Sequence, residues 1–296
     1  MKKIFSMMLM TASMYCSGQA GTDIYLFDLS MRNGKVIISG GKNFTNRIGY
    51  DNQPFFHPSK PIIYFSAFND SGRSDIKYFD YRQNTMANLT TTPEREYSPT
   101  VTPDGKFISC IIQRDNGAQD LAKYPIGGGD PVVLINNLVV GYHSWIDRDK
   151  LLLFVLGDSN RHTLHYYQLA SKKDSIIAAK IGRSLHKIPG KREMSFVQTI
   201  SDKESIVQRF NPTTMTVCNV ISALPGQDHL AWLNGNTLLM SDGNQLFYYT
   251  IGKTNSWQPV EFEGQTKPIN GISRLAVNGE RTKIAVVVNE AVANRQ

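Results

Sequence analysis

Glu96 to Ile135 reads EYSPTVTPDGKFISCIIQRDNGAQDLAKYPIGGGDPVVLI, and its punctuation divides it into four short strands. YSPTV runs into the turn TPDGK, the apolar FISCIIQ follows, the polar loop RDNGAQD leads to LAKYPI, and GGGD leads to PVVLI. Pro103, Asp104 and Gly105 supply a preset φ, a side-chain acceptor and a positive-φ residue, the three things a tight turn needs. Gly127 to Gly129 precede Asp130 and Pro131 with no helical pattern after them, so they form a hairpin turn and not a phosphate loop. Four short strands joined in this way make one up-and-down antiparallel sheet.

The same order returns on both sides. Upstream, NQPFFHPSKPIIYFSAF turns at Pro58, Ser59 and Lys60. Downstream, VVGYHSWIDRDKLLLFV turns at Asp147 to Asp149, SLHKIPGKREMSFVQ at Pro189 and Gly190, HLAWLNGNTLLM at Asn234 and Gly235, and GISRLAVNGERTKIAVVV at Asn278 and Gly279. In register, Pro54, Pro99, His143, His186, His229 and Ser273 share one position, with a repeat of 42 to 45 residues. That period, with four strands per unit and no helical periodicity, predicts an all-β fold of repeated blades, a β-propeller. A β-sandwich has no such repeat. The last copy stops after two strands, and its missing half stands at the other end, where TDIYLFDL and KVIISG lie within residues 22–46. N-terminal outer strands pairing with C-terminal inner strands therefore close a ring of six four-stranded blades and hide two sheet edges. The blades are expected near 49–95, 96–137, 138–180, 181–222, 226–263, and 270–290 with 22–46, in one domain spanning 21–296.

Residues 1–20 are read as a secretory signal: Lys2 and Lys3, an apolar run from Ile4 to Met14, then Gly18 and Ala20 as small residues before cleavage. Bulky Tyr15 beside Cys16 argues against a lipid anchor there. The formal charge of +7 falls to +5 once Lys2 and Lys3 are removed, and the remaining basic residues are scattered, which argues against nucleic acid and for a mild preference for anions. Cys110 and Cys218 sit in apolar runs of non-neighbouring repeats and are read as buried free thiols. No apolar run downstream is long enough to span a membrane. The expected product is a periplasmic or secreted monomer.

NQPFFHPSKPIIYFSAF and YSPTVTPDGKFISCII together resemble the TolB-like, WD-type β-propeller repeat of exported bacterial proteins, in which a proline precedes Ser-Pro-Asp-Gly-Lys and an apolar strand. The resemblance is strongest over 51–135 and fades to strand pattern in the last three copies. It implies the fold more than the function. TolB carries a further N-terminal domain that this chain has no room for, so the Tol-system role is not carried over.

In a propeller the inner strands line the central channel, and the residues beginning them ring one mouth. Asp51, Gln53, Glu96, Tyr142, His143, Arg183, His186, His229 and Arg274 are thereby expected around one opening as a ligand site. His143, His186 and His229 fall on consecutive blades, so three imidazoles are available for a divalent metal, although half a ring is wide for one ion. Otherwise each histidine bonds a neighbouring blade. His162 and His165 alternate to opposite faces and form no metal pair, and His57 is expected to face solvent at its turn. Trp145, Trp232 and Trp257 are expected to pack between blades. No Gly-x-Ser-x-Gly elbow occurs. The leading expectation is an exported, non-catalytic module with no cofactor that binds a small molecule, a peptide or an envelope protein. The alternative is a metal-dependent lyase or hydrolase acting on an acidic saccharide or peptide through the histidine cluster.

Overall fold

A computed structural model describes residues 21–158, 161–264 and 269–290. The signal segment and Cys16 fall outside them. β1 (Thr22–Arg32) and β2 (Lys35–Asn43) open the chain. Blade one is β3 (Asp51–Phe56), β4 (Ile62–Phe68), β5 (Ser74–Asp80) and β6 (Thr85–Asn88). Blade two is β7 (Arg95–Val101), β8 (Phe107–Gln113), β9 (Gln119–Pro125) and β10 (Val132–Ile135). Blade three is β11 (Val140–Trp145), β12 (Lys150–Val155), β13 (Thr163–Gln168) and β14 (Lys173–Ala179). Blade four is β15 (His186–Lys187), β16 (Met194–Ser201), β17 (Glu204–Asn211) and β18 (Thr216–Ser222). Blade five is β19 (Leu230–Trp232), β20 (Thr237–Ser241), β21 (Leu246–Thr250) and β22 (Gln258–Pro259). β23 (Glu261–Glu263), β24 (Arg274–Val277) and β25 (Lys283–Asn289) complete the chain.

Five sheets run inner to outer in chain order, and the sixth runs β24-β25-β1-β2-β23. β1 lies antiparallel to β25, from Thr22 opposite Asn289 to Asp28 opposite Lys283, so the chain ends close the ring as the repeat pattern requires. Inner strands start on one face, here the upper, and first turns lie on the lower face. Thr102 and Lys106 both donate to the Asp104 carboxylate in one such turn, at 2.6 and 3.1 Å, with Gly105 at φ 70°. The fourth strand of blade five departs from expectation. It is cut short at Pro259, and β23 crosses to pair in parallel with β2, where Glu261 and Glu263 meet Lys35 and Arg32.

There is no single core. Six apolar clusters each fill the wedge between adjacent blades; one joins Tyr64 and Ile76 of blade one to Ile108 and Cys110 of blade two. A blade's second strand is covered on both faces, which is why IIYFSAF, KLLLFV and KIAVVVN are continuous apolar runs without alternation. Outer strands are exposed, and so is Cys218 on β18, contrary to its reading as buried; Cys110 is fully buried.

The tryptophans tie blades together. Trp145 Nε1 donates to Ser109 Oγ at 2.8 Å, Trp232 Nε1 to Ser195 Oγ at 2.8 Å and Trp257 Nε1 to the Ser222 carbonyl at 2.9 Å, each on the preceding blade. Ser109 also contacts His143 Nε2 at 2.7 Å and the Thr100 carbonyl at 3.1 Å. Ser109 Oγ thus accepts from the indole and shares a hydrogen bond with His143 Nε2 whose direction follows the imidazole tautomer. Ser109→Ala removes the partner of both rings at once, and leaving them unpaired should cost about 2 to 4 kcal/mol in urea denaturation; a change under about 0.5 kcal/mol, the level of an ordinary surface substitution, would refute this role.

Candidate functional site at the channel mouth

Two adjoining cavities occupy the axis. An upper funnel of about 410 Å³ and a lower cavity of about 100 Å³ share Gln53, Tyr142, Arg183, His229 and Arg274. His143 and His186 line the lower one. Seven of the nine residues expected at the mouth are thus brought together. The aligned positions lie within the inner strands for Pro54, Pro99, His143 and His186, and immediately before them for His229 and Ser273.

Asp51 and Glu96 are the two exceptions and require correction. Both are fully buried and line neither cavity. Asp51 accepts from Arg47 Nη2 at 2.7 Å, and burial still pushes its carboxyl up to about 6. Glu96 accepts from the Tyr124 hydroxyl at 3.0 Å and from Thr92, and burial raises its pKa as well. Bulges explain their direction. The β3/β4 and β7/β8 pairings each slip at the proline step, with Gln53 and Ser98 left-handed at φ 59° and 56°. The residue before proline resists that conformation. It is held here by Gln53 Oε1, which accepts from Ser66 Oγ at 2.8 Å and from the Ser98 N–H of the next blade at 2.7 Å.

Arg274 of blade six reaches Tyr142 of blade three, the blade opposite it in a ring of six. Its Nη2 donates to the phenol oxygen at 2.8 Å and its guanidinium carbon lies 5.0 Å from the ring centre, so a strut spans the axis. Tyr50, Asn52, Tyr97, Gln113, Gln119 and His162 also line the funnel and were not anticipated. Gln113 and Gln119 end and begin the second and third strands of blade two and His162 lies in the corresponding loop of blade three, which opens on the same face as the inner-strand starts. His165 turns away, between Thr163 and Asp174 at 2.8 Å each, and makes no pair with His162. His57 is buried and accepts the Ser59 and Lys60 N–H groups at 3.1 Å, so it caps its turn instead of facing solvent.

No protein-family model matches this sequence, and no curated protein is similar to it in sequence. Solved structures are similar in fold. A protein assigned as TolB in Agrobacterium tumefaciens superposes with a TM-score of 0.69 at 12% identity, over 93% of this chain and 100% of that one. This chain has a TolB-like six-bladed β-propeller fold. TolB from Acinetobacter baumannii gives 0.58 at 12% identity over 91% of this chain and 65% of that one. An oligogalacturonate lyase in complex with manganese gives 0.57 at 12% identity, over 85% and 80%.

The electrostatics of this TolB-like propeller are one-sided. No carboxylate lines either axial cavity, and among the described residues neither Arg183 nor Arg274 forms an ion pair. Asp228 accepts the Arg183 N–H at 3.1 Å and lies 3.3 Å from His229 Nε2; it lines a neighbouring groove that Arg183 also lines, and the charges of Arg183 and Arg274 both act on it. Burial lowers His143 to about 3. Burial, reinforced by Arg274, lowers His186 to about 4 and His229 to about 3. All three are neutral at pH 7. Their Nε2 atoms already face Ser109, Ser184 and Asp228, and among the described residues no three His, Cys, Asp or Glu side chains converge on a metal position.

Proposed function

We propose that this chain is an exported binding or scaffolding propeller that receives an anionic group at the upper channel mouth, carried by a small molecule, a peptide or an envelope partner. Export rests on the signal-like pattern of residues 1–20. No helix among the described residues is long and apolar enough to cross a membrane. The observation that carries the reading is the pair Arg183 and Arg274, facing a concavity without acidic residues. Guanidinium groups that make no direct ion pair among the described residues, with Asp228 as their one acidic neighbour, attract and orient anions from low-dielectric walls. Gln53, Tyr142 and the neutral imidazoles add donors and acceptors that fix orientation.

A metal-dependent lyase or hydrolase is the second reading, prompted by the histidine cluster and by the fold shared with the oligogalacturonate lyase. Among the described residues no convergent ligand set supports it, so binding is the reading preferred. Titration calorimetry with trigalacturonate and with a hexaglutamate peptide tests it. At least one should bind, and Arg183→Gln with Arg274→Gln should weaken it by about 100-fold, from two charge-assisted hydrogen-bonding groups. Neither probe binding the parent protein, or equal binding by the variant, would overturn the anion reading.

A further inference from the structure

We propose a second anion site, for a phosphate-bearing ligand, in the groove between blades three and four on the lower face. This groove of about 370 Å³ presents Lys150, Lys187, Lys191 and Arg192 against one acid, Asp147. Its volume is that of a small-molecule pocket. None of these residues lines the axial cavities, so the site is separate from the channel mouth.

The cations are positioned by the fold. Lys187, the last residue of the short inner strand of blade four, donates from Nζ to the Ile146 carbonyl of blade three at 2.8 Å. Lys191 follows the Pro189-Gly190 turn and donates from Nζ to Asn236 Oδ1 of blade five at 3.1 Å. Its stem packs over Gly235, where an added Cβ would lie 3.4 Å from Lys191 Cε and 2.7 Å from the Pro189 carbonyl oxygen. That close approach fixes the turn and with it the start of the Lys191 side chain. Arg192 forms no ion pair among the described residues, and Lys150 is 3.6 Å from Asp147.

The floor is Ile146, Tyr166 and Met194, each less than a tenth exposed, so no acid can rise from beneath to neutralise the rim. An apolar base also strengthens the field above it. The ammonium groups of Lys150 and Lys187 are compact point charges on the groove, with that of Lys191 lying toward Asn236 of blade five; such charges suit a tetrahedral oxyanion approached from several sides, whereas flat carboxylates favour guanidinium forks. Four cations against one carboxylate suit a ligand with more than one negative charge, so the chemistry that fits is a phosphate ester or diphosphate.

Titration of the full chain with inorganic pyrophosphate, and co-sedimentation with phosphatidylcholine vesicles with and without phosphatidylglycerol, test this. Pyrophosphate should bind, and Lys187→Gln with Lys191→Gln should weaken it by about 10-fold or more, the loss of charge-assisted hydrogen bonds. Both titrations are run in an Arg183→Gln, Arg274→Gln background, so that anion binding at the channel mouth does not enter the comparison. Retention on phosphatidylglycerol vesicles that is lost in the double variant assigns the phosphate to a lipid headgroup. Pyrophosphate binding without vesicle retention assigns it to a soluble ester. Absence of both, or equal binding by the double variant, overturns the proposal.

Discussion

Between pH 7 and pH 4.5, His143 alone should remove about 3 kcal/mol of stability, and a His143→Gln variant should show a stability curve flatter by that amount. The folded imidazole titrates near 3, against the ordinary 6.5, because it is buried between blades two and three. Below 6.5 the unfolded chain takes up a proton that the folded chain refuses, so stability is lost as pH falls. His186 and His229 act in the same direction, being lowered to about 4 and 3. Asp51 opposes them. Its folded carboxyl is raised to about 6, so the folded state binds a proton first and gains stability between about 6 and 4. Comparing the variant with the parent, by urea denaturation at each pH, isolates the histidine. Gln can keep a donor toward Ser109. Parallel curves would show that His143 is protonated in the fold and that its burial is relieved by solvent.

Phe27→Ala should cost about 3 to 5 kcal/mol, the loss of a fully buried aromatic together with the cavity left behind. Phe27 is 1% exposed on β1, the N-terminal strand that closes the ring, and packs in the wedge between blades five and six. β1 is the only link between the C-terminal pair β24 and β25 and the outer strand β2. Loosening it therefore weakens the closure as well as one wedge. Met86→Ala, on an exposed outer strand, should stay within about 0.5 kcal/mol. A Phe27 effect as small as that of Met86 would mean that the ring holds without its closing strand.

The fold was legible because its signals are local: Pro-Asp-Gly and Asn-Gly turns, continuous apolar second strands, and a repeat that places a proline or histidine at one register. The two split halves also had to be one sheet, since neither could hide its edge alone. The position of β23 was not legible. PVEF continues a blade pattern, and what draws it away is a parallel backbone pairing with β2, Ile37 opposite Glu261 to Ser39 opposite Glu263, between segments far apart in the chain. At the site, register grouped the histidines with Arg183 and Arg274. It failed for Asp51 and Glu96, because a one-residue bulge at Gln53 and Ser98 reverses the side-chain parity on which the alignment relied. The Nε2 partners of His143 and His186 are the serines Ser109 and Ser184, which spacing cannot reveal.

The contact between Arg274 and Tyr142 also decides how the axis can be used. A ring of blades suggests a pore, yet a crossbeam at mid-depth makes two vestibules back to back. While that contact holds, the axis is a pair of end-on vestibules and not a through-channel, so whatever enters one of them meets a wall of side chains and not an exit.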